Sequence, residues 1–169
     1  MEPRWIRQRD GYSCGPIAIC NVAKWASIHP WDSWEKSRER LGGLCRTSRT
    51  HGTSNASFES ALRSVGRGKL KIVRRARWKL DELAEWIEER GCIVIDFVVP
   101  LAHNMAKAVN NRDAHYVTVV DIMGPKGSEW FKVINIDSSE TVSWVSREQF
   151  NWLFMRRRKG DRIWKVKLS

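Results

Sequence analysis

The chain has 169 residues, of which 42% are hydrophobic and 29% charged, and this balance excludes a disordered chain as the main interpretation. Its longest apolar runs reach about ten residues, well short of the roughly 20 that a membrane helix needs, and its first residues lack the features of a secretory signal. We therefore expect a single domain over residues 1–169 that works in the cytosol and contacts no membrane.

The positive charge of the chain is concentrated in two segments, although the formal net charge is only +11. Segment 63–79 contains eight basic residues and no acidic one, and segment 156–169 contains seven basic residues against Asp161. The rest of the chain is therefore slightly acidic. Clustered Lys and Arg beside Trp78 or Trp164 could bind nucleic acid or an acidic protein, although a solvated basic face is the commoner reason for such a pattern.

The first half of the chain predicts helices. Residues 16–26 are apolar on nearly every side and begin with a proline, which is typical of a buried helix that starts close to Cys14. Residues 53–66 combine Ser and Thr capping candidates with a helical apolar spacing and end in glycine. Residues 79–90 show the clearest helical period, and Gly91 provides a stop signal.

The second half changes to the short period of β-strands. Its segments are rich in Val, Ile and aromatic residues and are separated by Gly, Pro or charged turns. We expect four or five strands among residues 92–100, 115–122, 130–137, 140–146 and 162–168, with a short helix near residues 147–154. Helices followed by an antiparallel sheet indicate an α+β fold.

Cys14 is the first candidate for chemistry. A thiol at the start of a buried helix faces unpaired backbone N–H groups and the positive end of the helix dipole, and both favour the nucleophilic thiolate. A lone cysteine in this place could equally be a small apolar filler. Gln8 lies six positions earlier across a polar turn, so its amide and the Cys14 backbone N–H could stabilise an oxyanion. The four cysteines show neither CxxC nor zinc-ligand spacing, and we expect free thiols.

A general base for Cys14 must come from one of four histidines. His115 opens a strand-like segment, where a rigid element would fix the imidazole. The other three lie beside turns or a helix cap and are better explained as surface or packing residues: His29, His51 and His103. Asp137 ends the next predicted strand, and antiparallel pairing could bring its carboxylate beside the imidazole to hold the tautomer.

Several segments resemble the papain-like peptidases that process the double-glycine leader peptides of bacteriocins, together with their stand-alone relatives. These segments are QRDGYSCG from Gln8, HGTSNASFESALRSVG from His51, DAHYVTVV from Asp113, the IDSS ending at Ser139, and SREQFNWL from Ser146. The resemblance covers most of the chain. It implies a papain-like cysteine peptidase fold in which N-terminal helices pack on an antiparallel sheet.

The same resemblance implies roles for four residues and requires neither a metal nor a cofactor. Cys14 would be the nucleophile, His115 the base and acid, Asp137 the orienting group and Gln8 the oxyanion donor. Two positions depart from the family pattern: Ser13 stands where an Asp commonly precedes the Cys-Gly pair, and Ser138 stands where a Pro usually follows the Asp. These departures affect substrate detail more than the triad.

The resemblance implies a thiol protease that cleaves a peptide or isopeptide bond after small residues, above all Gly-Gly. Such a groove would also suit the C-terminal tail of a ubiquitin-like protein, which makes a deubiquitinase-like activity a hypothesis. Peptidases, isopeptidases and acyl transferases share the first half-reaction, so fold and triad do not choose among them. Two other classes stay open: a basic nucleic-acid-binding module, and a catalytically silent relative that binds a peptide tail.

Overall fold

A computed structural model describes residues 3–28, 34–76, 78–98, 114–136, 140–155 and 162–169 of the chain. The helices in these residues are α1 (Cys14–Trp25), α2 (Trp34–Leu44), α3 (Asn55–Val65), α4 (Leu80–Glu88) and α5 (Arg147–Phe150), and a π-helix over Asn151–Met155 follows α5 directly. The strands are β1 (Leu70–Arg75), β2 (Cys92–Val98), β3 (Ala114–Met123), β4 (Trp130–Ile134), β5 (Val142–Ser146) and β6 (Arg162–Leu168).

The strands of the described residues form one antiparallel sheet in the order β1-β6-β2-β3-β4-β5. β3 therefore lies inside the sheet, between β2 and β4. The register places Tyr116 of β3 opposite Asp96 of β2, and Thr118 opposite Ile134 of β4. Because side chains alternate between the faces of a strand, Tyr116 and Thr118 share one face of the sheet and Val117 lies on the other.

Each face of the sheet carries its own hydrophobic core. On the Tyr116 face, α1 packs against β3 and against α2 and α3, and its ten residues from Cys14 to Ala23 are all buried. On the opposite face, α4 and α5 pack around Val117 and Phe131. Contact on all sides explains why the sequence of α1 lacks a polar face. The start of α1, which carries Cys14, is thus held in the interior against β3.

The α+β prediction, with N-terminal helices on an antiparallel sheet, is confirmed, and α3 and α4 fall inside their predicted ranges. Two elements were not predicted. α2 has the polar sequence WEKSRERLGGL with two glycines, so its helical period is weak. β1 lies within the basic segment 63–79, where Lys and Arg hide the strand pattern. At the edge of a sheet such charges discourage pairing with other chains.

Some predictions fall on residues that the structure does not describe. They concern Asp137, the histidines at 29 and 103, the ends of two predicted strands at 99–100 and 137, and the basic run at 156–160. Among the described residues, every helix falls short of the length and apolar character that crossing a bilayer requires.

Candidate active site

The residues before α1 form a tight turn around the carboxylate of Asp10. Its Oδ1 accepts hydrogen bonds from the backbone N–H groups of Tyr12 at 3.1 Å and Ser13 at 2.7 Å, and its Oδ2 accepts one from the Ser13 hydroxyl at 2.7 Å. A carboxylate that binds the backbone two and three residues further on fixes the path of the turn. Asp10 therefore sets the entry into α1 and the position of Cys14, although the residue directly before Cys14 is Ser13.

Cys14 is the most accessible of the four cysteines, but only slightly. Its exposed fraction is 6%, whereas Cys20, Cys45 and Cys92 are fully buried. All four thiols are free, as predicted. A reagent or substrate that approaches the folded protein would therefore reach Cys14 before any other thiol.

Burial of the Cys14 thiol opposes the thiolate that the helix start favours. Burial, and to a smaller extent the negative charge of Asp96, raises its pKa from 9.0 to about 11. Backbone hydrogen bonds from Tyr116, Gly15 and Cys14 itself lower the pKa, as the helix start predicts, but they do not outweigh burial. The helix start thus favours the thiolate as expected, but less strongly than burial opposes it. The nucleophile needs a base to become active.

His115 is the second residue of β3, and its ring is partly buried. Its Nε2 lies 2.8 Å from the backbone oxygen of Asn135. Because a carbonyl oxygen can only accept, Nε2 must carry the proton, and Nδ1 is the nitrogen that can take a further one. The next residue, Tyr116, hydrogen-bonds the Cys14 thiol through its backbone. The structure thus brings the thiol to the end of β3 that carries His115.

Gln8 lies on the turn that leads into α1. Its Nε2 donates a hydrogen bond to the backbone oxygen of Asp10 at 2.5 Å, and its backbone N–H donates to Oδ1 of Asn135 at 3.2 Å. An amide nitrogen has two N–H donors, so one remains for another acceptor. The buried Oε1 accepts no hydrogen bond from the described residues.

The HGTSN segment before α3 packs directly on the Cys14–Gly15 pair. A Cβ at Gly15 would lie 2.6 Å from Oγ1 and 2.7 Å from Cβ of Thr53, so only glycine fits there. The hydroxyl of Tyr116 lies 3.1 Å from the backbone oxygen of Thr53 and 2.6 Å from Oδ1 of Asn55. Thr53 therefore joins the start of α1 to the residue after His115. His51 of the same segment is exposed, and its Nδ1 lies 2.8 Å from the hydroxyl of Thr50, in line with a surface role.

Two further residues of this region were missed by sequence reasoning. Asp96 of β2 is 3% exposed, and its charge raises the pKa of Cys14 and of Tyr116, in addition to the larger effect of burial. Asn135 is also 3% exposed and contacts both Gln8 and His115. The available signal was a polar residue inside an apolar strand pattern, in CIVIDFVV and in FKVINI. Such a residue is buried only with a hydrogen-bond or charge role.

The two basic segments meet at one edge of the sheet, because β1 pairs with β6. Part of their charge is engaged within the protein. Arg63 and Arg74 both form ion pairs with Glu59, and the ammonium group of Lys165 lies 3.8 Å from the ring centres of both Trp78 and Trp86. This edge is thus partly a structural network of ion pairs and cation–π contacts.

Within the described ranges, no cluster of three or more His, Cys, Asp or Glu side chains is arranged to hold a metal ion.

No protein-family model matches the chain, and no curated protein sequence matches it. Solved structures do. One is a double-glycine motif protease from an AMS/PCAT transporter in complex with the leader peptide, with a TM-score of 0.56 and 18% identity over 98% of this chain and 93% of that one. Another is a C39-like peptidase candidate from Bacillus anthracis, with a TM-score of 0.62 and 14% identity over 98% of this chain and 94% of that one. This chain has their papain-like fold.

The fold that the sequence resemblance implied is therefore confirmed. The TM-scores of 0.56 and 0.62 establish a shared architecture, whereas at identities of 18% and 14% the chemistry has to be argued from the residues of this chain.

Proposed function

We propose that the protein is a cysteine peptidase in which Cys14 is the nucleophile, His115 the general base and acid, Gln8 an oxyanion donor and Asp137 an orienting group. One observation carries the proposal. The Cys14 thiol, at the start of a buried helix, hydrogen-bonds the backbone of Tyr116, the residue directly after His115. Nucleophilic catalysis needs a thiol and a base that can take its proton, and the contact with Tyr116 places the thiol at the end of β3 that carries His115.

The protonation state of Cys14 favours one order of events. Because burial raises the pKa of Cys14 to about 11, the proposed role of His115 is that of a general base during attack, in preference to one half of a stored thiolate–imidazolium pair. Nδ1 of His115 accepts the thiol proton as the sulfur bonds to the substrate carbonyl carbon. The backbone N–H of Cys14 and the second N–H of Gln8 stabilise the negative carbonyl oxygen.

Collapse of the tetrahedral intermediate breaks the C–N bond, and His115 gives its proton to the leaving amine. Water then attacks the thioester while His115 takes a proton from it, and the acid product leaves as the thiol is restored. An amine in place of water would give acyl transfer by the same steps.

The proposed substrate is a peptide or protein with small residues, above all Gly-Gly, before the cleaved bond. The support comes from the sequence resemblance and from the shared fold with a protease solved together with a leader peptide. Tails of ubiquitin-like proteins offer the same residues, so the isopeptidase variant belongs to the proposal. Location in the cytosol stays a prediction.

A matched pair of substrates tests the proposal. We would measure release of lysine from Gly-Gly units linked through its α-amine or its ε-amine, with wild type and with Cys14→Ala, His115→Ala and the control His51→Ala, whose side chain is exposed. We expect cleavage by wild type and by the His51 variant only, and the preferred linkage separates peptidase from isopeptidase. Wild-type rates in Cys14→Ala would overturn the proposal.

The alternative classes give different results in the same preparation. A basic nucleic-acid-binding module would bind nucleic acid with an affinity that falls steeply with salt and ignores Cys14→Ala. A silent relative would bind the Gly-Gly peptide without releasing lysine.

A further inference from the structure

Asn135, the residue directly after β4, connects separate parts of the candidate site through four hydrogen bonds. Its Nδ2 donates to the backbone oxygen of Ile6 at 2.7 Å, and its Oδ1 accepts from the backbone N–H of Gln8 at 3.2 Å. Its backbone oxygen accepts from Nε2 of His115 at 2.8 Å, and its backbone N–H donates to the oxygen of Thr141 at 2.9 Å. All four of its hydrogen-bonding groups are therefore engaged.

The backbone of Asn135 has a conformation that frees its carbonyl from the sheet. Its φ is +58°, in the left-handed region that costs most non-glycine residues about 1 kcal/mol and that Asn tolerates best. The pairings of β4 with β3 and with β5 both end at Ile134. The Asn135 carbonyl thus leaves the ladder and becomes available to the imidazole of His115.

The buried side chain is what holds this carbonyl in place. Asn135 is 3% exposed, and its amide is clamped between Ile6 and Gln8. Ile6 is also bound by Asn21 of α1. Oδ1 of Asn21 accepts a hydrogen bond from the backbone N–H of Ile6 at 2.8 Å, and Nδ2 of Asn21 donates to the backbone oxygen of Ile6 at 3.1 Å. Two buried amides therefore fix the segment that carries Gln8.

We propose that Asn135 is a positioning residue that holds His115 as its Nε2–H tautomer through a neutral carbonyl, and that ties this imidazole to the segment carrying Gln8. This inference rests on the proposed function and deepens it.

A neutral acceptor has a chemical consequence. The Asn135 carbonyl only accepts, so its contact with Nε2 fixes both the orientation of the His115 ring and the tautomer with the proton on Nε2. Misplacement of a catalytic group by about 1 Å costs on the order of 100-fold in rate, so loss of the Asn135 side chain should lower kcat by about 10- to 100-fold.

The test compares Asn135→Gly with Asn21→Ala. Glycine keeps the left-handed conformation accessible but removes both side-chain hydrogen bonds, which frees the carbonyl to rotate. The control removes another buried amide that binds Ile6 but contacts neither Gln8 nor His115 in any hydrogen bond described above. The readouts are kcat and KM on a Gly-Gly peptide amide, the melting temperature, and side-chain ¹⁵N NMR of His115, assigned with His115→Gln.

We expect wild type and Asn21→Ala to show the Nε2–H tautomer, and Asn135→Gly to show a mixture of tautomers with a lower kcat and an unchanged KM. Both variants should melt at lower temperature. An unchanged His115 spectrum in Asn135→Gly, or a kcat loss in the control as large as in Asn135→Gly, would overturn the proposal.

A second variant and a measurement without substrate complete the test. If Asn135→Gly does not fold, Asn135→Asp keeps the acceptor for Gln8 and loses the donor to Ile6, and it should show an intermediate loss of the tautomer. The NMR measurement needs no substrate. A wild-type protein that cleaves nothing would therefore refute the proposed function, while the role of Asn135 would still be decided by the His115 spectrum.

Discussion

The reactivity of Cys14 should depend on pH in a way that its burial determines. A rise in pKa from the ordinary 9.0 to about 11 means that, below pH 9, the thiol is ionised about 100-fold less than an ordinary cysteine. At pH 7 the thiolate fraction is about 10⁻⁴. The rate of alkylation by iodoacetamide should therefore increase about tenfold with each pH unit and level off only near pH 11.

Substitution of Asp96 provides the perturbation. The negative charge of Asp96 adds to the effect of burial on the pKa of Cys14. Asp96→Asn removes that charge, so the pKa should fall and alkylation at a fixed pH should become faster. Asp121→Asn, which removes an exposed carboxylate from the neighbouring strand β3, is the matched control and should leave the rate unchanged.

Intact mass measured over time gives the rate, and peptide mapping assigns the adduct. Cys20, Cys45 and Cys92 are fully buried and serve as internal controls. The reasoning would be refuted by a rate that reaches its plateau between about pH 5 and 7, because that profile marks a thiolate–imidazolium pair. Loss of such a plateau in His115→Ala would identify the partner of the thiolate.

Three further predictions concern stability. Burial raises the pKa of Cys45 from 9.0 to about 12, so about 4 kcal/mol of folding free energy is present below pH 9 and is lost as the pH approaches 12. Urea unfolding between pH 8 and 11 should show the free energy of unfolding falling with pH, and it should fall less steeply in Cys45→Ala. A urea midpoint that does not change with pH would contradict this prediction. Gly15→Ala should lower the free energy of unfolding by about 1–3 kcal/mol because its Cβ would meet the Thr53 side chain at 2.6 Å, and an unchanged urea midpoint would show that Thr53 moves freely. A Cβ at Gly43 in α2 would have no atom within 4 Å, so Gly43→Ala should raise the free energy of unfolding by about 0.5–1 kcal/mol. A lower free energy of unfolding in this variant would contradict the prediction.

The sequence predicted the fold where local pattern and tertiary packing agree. The helical period of α4 can be recognised from residues that are close in the chain, and so can the β-branched residues on either side of Asp96 in β2. β1 was missed because its basic residues suit a solvated segment as well as an edge strand, and only pairing with β6 distinguishes the two. The element order was thus predictable except where charge conceals hydrophobic period.

The site was less predictable because its decisive contacts join distant parts of the chain. Cys14 was identified from its position at a helix start, but its pKa depends on burial among residues far along the chain, such as Tyr116. The role of Asn135 depends on a left-handed backbone and on contacts to Ile6 and Gln8. The spacing of apolar residues along the chain does not predict contacts between residues so far apart in the sequence.

The central claim, an activated thiol that recognises Gly-Gly, is tested most directly by a peptide that ends in a Gly-Gly vinyl sulfone. Intact mass should show one adduct on wild type, mapped to Cys14, and none on Cys14→Ala or His115→Ala. A parallel reaction with iodoacetamide measures how accessible each thiol is to a small reagent. No adduct, or equal labelling of Cys14 and the three buried cysteines, would contradict the account.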